Sequence, residues 1–90
     1  MVWRIELERT AEKDLSKLDR QSATRVLRFL HERLAPLENP RAIGESLHGS
    51  RLGDLWKYRV GDFRILASIQ DKEVRILVVK VGNRREVYRR

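Results

Sequence analysis

Ninety residues leave room for one hydrophobic core, so residues 1–90 are read as a single domain. The absence of cysteine excludes a disulfide framework, a thiolate metal site and a thiol nucleophile. Twenty Lys and Arg against thirteen Asp and Glu give a formal charge of +7. No window approaches the roughly 18 apolar residues of a membrane span. The opening MVWRIELERT is charged rather than signal-like, so a cytoplasmic protein with no membrane partner is expected.

In chain order, VWRIELE alternates, with Trp3, Ile5 and Leu7 on one face and Arg4, Glu6 and Glu8 on the other, which predicts a half-buried strand. Thr10 is placed to cap a short helix whose Ala11, Leu15 and Leu18 share a stripe. A longer helix follows, with Ala23, Val26, Leu27, Leu30 and Leu34 at helical spacing, ended by Pro36 and by Asn39-Pro40. Residues 37–53, with Pro40, Gly44, Gly49 and Gly53, read as mostly loop.

The period then changes to two. DLWKYRV sets Trp56, Tyr58 and Val60 against Leu55, Lys57 and Arg59, and Gly61-Asp62 has the glycine-first pattern of a type II′ hairpin. FRILASIQ and EVRILVVKV supply two further strands, the last looking covered on much of both faces. The order β-α-α-β-β-β predicts an α+β layer. Two N-terminal helices pack on one face of a mostly antiparallel four-stranded sheet, and the other face stays open.

A two-residue turn fixes the register. Val60 then pairs with Phe63, Arg59 lies opposite Arg64, and Lys57 faces Leu66. Trp56, Tyr58, Val60, Phe63 and Ile65 share the core face, while Lys57, Arg59 and Arg64 share the other. Directly opposed like charges about 5 Å apart are destabilising. One reading is a solvated face whose long cations splay into water; the sharper one is a concave anion site, where guanidiniums hold phosphate bidentately.

The basic excess also lies in this half: residues 46–90 hold eleven Lys and Arg against five Asp and Glu, residues 1–45 nine against eight. Such a local field predicts a polyanionic partner, nucleic acid before an acidic protein segment. The final VGNRREVYRR brings Arg84, Arg85 and Tyr88 to the rim of the same face if the last strand lies beside FRILASIQ. There Tyr88 serves either as a platform for a stacked base or as a ring closing over the core edge.

LWKYRVGDFRIL, followed by a strand and VGNRREVY, resembles the RelE superfamily of bacterial and archaeal toxins. AEKDLSKL on the first helix and the segment ending SLHGS extend the resemblance to nearly the whole chain. It implies a RelE-like fold and a toxin of a type II toxin–antitoxin system, acting on the 70S ribosome as a metal-independent mRNA endoribonuclease with no cofactor. It also implies a cognate RelB-like antitoxin from an adjacent gene, held with the toxin in a hetero-oligomer. The family's functional positions fall on Lys57, Arg59, Arg64, Arg84 and Tyr88. Relatives often carry a second lysine where Arg59 stands, and several carry histidine or lysine where Asn83 stands.

RNA cleavage without a metal proceeds through attack of the 2′-hydroxyl on the adjacent phosphorus. It needs a proton acceptor, a clamp for the phosphorane charge and a donor to the departing 5′ oxygen. Arginine is never deprotonated here, so Arg59, Arg64 and Arg84 can only clamp or orient. Proton transfer falls to Lys57 or Tyr88, with Glu86 behind them; Arg85, Lys57 and Arg59 are candidates for RNA binding. His31 reads as a helix-surface residue, and His48 sits in a loop with no partner at a catalytic spacing; no metal-ligand spacing occurs. Two other functions stay open: the resemblance to the superfamily also allows a ParE-like DNA gyrase inhibitor with no nuclease activity, and the charge balance alone allows a basic nucleic-acid-binding module with no catalysis.

Overall fold

A computed structural model describes residues 2–47, 54–85 and 87. Strand β1 covers Arg4–Leu7, helix α1 Arg9–Ser16 and helix α2 Arg20–Arg28, the last widening into a π-helical stretch over Phe29–Leu34. A 3-10 turn at Pro40–Ile43 leads to β2 (Glu45–Ser46), then β3 (Trp56–Val60), β4 (Phe63–Gln70) and β5 (Arg75–Asn83). The sheet order is β1-β5-β4-β3-β2. Among the described strands only the β1–β5 pairing is parallel, so the sheet is mostly antiparallel as expected. Five strands stand where four were expected, because the segment read as loop contributes β2. Among the described residues no helix is long and apolar enough to cross a membrane.

The helical stripe does what its spacing demands. Ala11, Leu15, Val26, Leu30 and Leu34 are buried against Tyr58, Val60, Ile65, Ala67, Ile76, Val78 and Val81 of the sheet. Asp19 caps α2, accepting from Ser22 N–H at 3.1 Å and from the Ser22 hydroxyl at 2.6 Å, which holds its carboxyl below the usual range. Thr10, by contrast, is not a cap. It lies inside α1, which starts one residue earlier, and its hydroxyl donates to Val79 O on β5 at 2.7 Å.

That bond marks a feature with wide effects. In β5, Lys80 pairs with Leu66 but Val78 pairs with Ala67, so Val79 is an extra residue bulged out of the ladder. Thr10 takes the bulge carbonyl, and Asp14 Oδ2 accepts the Val81 N–H at 3.0 Å. Before the bulge Ile76 and Val78 face the core; after it Val81 does. Lys80 and Gly82 are thereby turned to the face away from the helices.

Tyr58 is fully buried, set at a tilt 6.2 Å from the Phe29 ring centroid, and its hydroxyl donates to Pro40 O at 2.7 Å. Burial pushes its phenol from 10.0 up to about 12. The folded state therefore favours the neutral phenol: the associated stability is complete below pH 10 and is lost as pH rises through about 12. That loss amounts to roughly 3 kcal/mol. Tyr58→Phe is expected to lower stability at neutral pH by about 1–2 kcal/mol, since Pro40 O loses its donor. It should also flatten the stability profile between pH 10 and about 12, as read by urea unfolding. A profile that still falls equally would assign the alkaline loss elsewhere.

Candidate active site

The hairpin forms in the expected register. Arg59 pairs with Arg64, Val60 with Phe63, Tyr58 with Ile65 and Lys57 with Leu66. Gly61 has φ +58 while Asp62 has no positive φ, the combination a type II′ turn requires. Lys57, Arg59 and Arg64 consequently lie on the face away from the helices, with Tyr58, Val60 and Ile65 buried beneath.

Arg64 is held by the turn itself. Its Nη1 donates to Gly61 O at 3.1 Å and to Phe63 O at 3.0 Å. Both bonds use one nitrogen, which leaves the Nε–Nη2 edge for bidentate capture of a phosphate. The tail segment starts at the same turn: Arg84 N–H donates to Asp62 O at 3.0 Å, and Arg85 N–H to Asn83 Oδ1 at 3.0 Å. Asn83 thus shapes the backbone that presents Arg84 and Arg85, both exposed.

After Arg85 the chain folds back. Val87 N–H donates to Asn83 O at 2.9 Å, and a Cβ placed on Gly82 would lie 3.5 Å from Val87 Cα. Gly82 pairs with Arg64 on the cation face, so Val87 sits over that face and is 1% exposed. Leu66, flanked in the ladder by Lys57 and Lys80, is also buried. The face is therefore less open than expected: an apolar floor lies under the cations. Tyr88, Glu86 and His48, along with Arg89 and Arg90, lie outside the described residues; His31 is exposed on the helix.

Glu45 and Lys80, beside the hairpin cations on this face, escaped the sequence reading. Glu45, on β2, pairs with Lys57 in the ladder and accepts from its ammonium at 2.9 Å. Its carboxyl is held below the usual range, first by the hydrogen bond from Lys57 and then by the charges of Lys57 and Arg64. Lys80 arrives through the bulge, two places across the sheet from Lys57. No alternation in ILVVKV signalled the bulge, and a two-residue strand after glycine carries no period at all.

The resulting constellation is a row of cations over an apolar floor, with Glu45 paired to Lys57 at its edge. Its charge suits a polyanion, and the Arg59–Arg64 rung adjoins the turn to which the Arg84 N–H is bonded. Among the described residues no group of three His, Asp or Glu side chains is arranged as metal ligands.

Comparison with known proteins agrees in both sequence and fold. Toxin RelG of Mycobacterium tuberculosis is 28% identical over 90 residues, covering all of both chains. Toxin RelE of the same organism is 29% identical over 87 residues, covering 97% of this chain and 87% of that one. The M. tuberculosis RelBE2 toxin–antitoxin complex contains a chain that superposes with a TM-score of 0.84 at 25% identity, covering 93% of each. Residues 5–88 match the family described as the ParE toxin of type II toxin–antitoxin system, parDE. With nearly its whole length matched, the chain belongs to the RelE/ParE superfamily of type II toxin–antitoxin toxins.

Proposed function

We propose that this toxin is a ribosome-dependent endoribonuclease that cuts mRNA in the ribosomal A site without a metal, and so inhibits translation. The observation that carries the reading is the Arg59–Arg64 rung with the Arg84 backbone bonded to the same turn. In the reaction the 2′ oxygen bonds to phosphorus and the bond from phosphorus to the 5′ oxygen breaks. The 2′ proton passes to a base and a proton is delivered to the leaving oxygen, giving a 2′,3′-cyclic phosphate and a 5′-hydroxyl. Arg64 and Arg84 clamp the charge that develops on phosphorus, and Arg59 and Arg85 hold flanking backbone. Lys57 or Tyr88 serves as the base, with Glu86 a weaker candidate.

Glu45 occupies the ammonium of Lys57 in the free protein. A substrate phosphate reaching Lys57 has to replace it. Glu45→Gln is therefore expected to tighten binding of a short unpaired RNA a few-fold at low salt, measured by anisotropy, with the gain shrinking as salt rises. Equal affinities would mean that phosphate does not reach Lys57.

The antitoxin partner is inferred in the same way. Relatives of this fold occur in complex with RelB-type antitoxins, and the basic face suits a cognate antitoxin that covers it with an acidic segment. A second reading has its own support, since the matching family is described by ParE: binding and inhibition of DNA gyrase. Purified toxin added to ribosomes translating a defined mRNA separates the two. Cuts mapped within the A-site codon support the nuclease; intact mRNA with inhibited supercoiling overturns it in favour of gyrase.

A further inference from the structure

The cations of the candidate site occupy only the hairpin half of the open sheet face. Toward the other end of β4 the same face continues through Leu66, Ser68 and Gln70. Ser68 pairs with Leu77 and Leu77 with Glu6, while Gln70 pairs with Arg75 and Arg75 with Arg4. Ile69, Ile76 and Val78 alternate to the core side, so these six side chains share the face away from the helices.

Leu77 is the floor of this half. It is half-buried, whereas Ile76 and Val78 on either side of it are fully buried. Polar groups flank it on both neighbouring strands. The Ser68 hydroxyl, beside it on β4, makes no hydrogen bond among the described residues. In the next row Arg75 Nε donates to Gln70 Oε1 at 2.5 Å, and Arg75 Nη1 lies 3.6 Å from Glu6 Oε1. The guanidinium is thus fixed from two sides, with Nη2 outside both contacts. The Arg75 side chain is 29% exposed and that of Glu6 44%, so both can be reached from water.

An apolar floor with a few convergent donors and acceptors suits a flat polar ligand. A phosphate is a poorer match, because a carboxylate stands beside the guanidinium. The edge of a nucleobase presents an acceptor next to an N–H, which complements an arginine beside a glutamate. Unpaired RNA is recognised in this way, with bases splayed from the backbone and bonded along their edges. The floor also adjoins the cations: Ser68 lies two positions, about 7 Å, along β4 from Leu66, whose ladder partners are Lys57 and Lys80.

We propose that Leu77 and the Gln70–Arg75–Glu6 chain seat one nucleobase of the substrate strand flanking the cut, and that Arg75 and Glu6 set which base is preferred there. The inference rests on the proposed RNA-cutting function for the identity of the ligand. Arg75 and Glu6 are specificity residues in this arrangement and do not touch the reacting atoms.

The test uses the full chain and short unpaired RNAs blocked against cleavage by 2′-O-methyl groups, with each position varied through the four bases in turn. At one position the wild type is expected to bind the best base about fivefold or more tighter than the worst, the discrimination of a good edge contact. Glu6→Gln/Arg75→Gln should bring the four affinities at that position to within about twofold of one another. In the wild type the Leu77 methyl resonances should shift under the ring current of the best RNA and stay in place with an abasic strand of equal length. That readout does not depend on the variant folding. The absence of a preference at every position, or a preference that the variant retains, would overturn the proposal. So would an equal loss for all four bases, which would assign Arg75 to a phosphate, or Leu77 resonances that respond equally to the abasic strand. Because these measurements involve no cleavage, an inactive nuclease that still discriminates bases would refute the proposed function alone.

Discussion

Arg64→Ala is expected to slow single-turnover cleavage of ribosome-bound mRNA by about 10²–10³, the usual cost of removing one preorganised donor to a developing oxyanion. The reason lies in the turn. Gly61 O and Phe63 O already hold Nη1 of Arg64, so the guanidinium is positioned before substrate arrives and little reorganisation accompanies the chemical step. Its removal leaves the core untouched, since Arg64 lies on the face away from the helices. Thermal unfolding should therefore stay within a few degrees of wild type. A cleavage rate equal to wild type would remove Arg64 from the clamp, whereas a collapsed melting transition would show that the turn depends on it.

Gly44→Ala should have the largest effect on stability, a loss of about 1–3 kcal/mol by overpacking. For a domain of this size that corresponds to a fall in Tm of roughly 4–8 °C per kcal/mol. A Cβ at Gly44 would lie 2.7 Å from Tyr58 Cε1 and 2.9 Å from Cζ. The ring cannot yield, because Tyr58 is fully buried and anchored through Pro40 O. The backbone must shift instead, and the next residue is Glu45. The same substitution is expected to loosen the Glu45–Lys57 pair and so steepen the salt dependence of RNA binding. A denaturant midpoint equal to wild type would mean that the loop stands clear of the ring.

The hairpin was legible because two independent signals agree there. A glycine-first dipeptide fixes the turn, and strict alternation on both sides fixes which residues share a face. The helices were legible from Val26, Leu30 and Leu34 at helical spacing, although not their first residue: Thr10 has the chemistry of a cap, and a tertiary hydrogen bond to Val79 took its hydroxyl. Glu45 was out of reach, since two residues cannot display a period and the strand they pair with, at Trp56 and Lys57, lies well downstream. Lys80 was hidden for a different reason. Its orientation depends on Asp14 and Thr10, far upstream in the first helix, and no local pattern carries that dependence.

The bonds made by the Pro40–Ile43 turn follow a similar logic. Arg41 meets Asp71 through two hydrogen bonds of 3.0 and 2.7 Å and lies 5.8 Å from the centroid of the Trp56 ring. The hydrogen bonds from Arg41 depress the Asp71 carboxyl below its ordinary value of 3.8. The pair therefore contributes in full above that ordinary value and ceases to contribute as the pH falls through the depressed one. Asp71→Asn is expected to remove that part of the acid sensitivity, measured as the pH midpoint of unfolding; an unaltered midpoint would place the sensitivity in other carboxylates.

Where the extra residue in the final strand is braced by the first helix, scaffold and chemistry cease to be separable. Shortening that strand by one position would reverse the orientation of everything downstream, and stripping the two side chains that brace it would weaken what holds that orientation. Ammonium would be driven toward hydrocarbon and the arginine-bearing segment would start from the wrong side. Substitutions at Thr10 and Asp14, far from the hairpin, are then expected to disturb the cation face through β5.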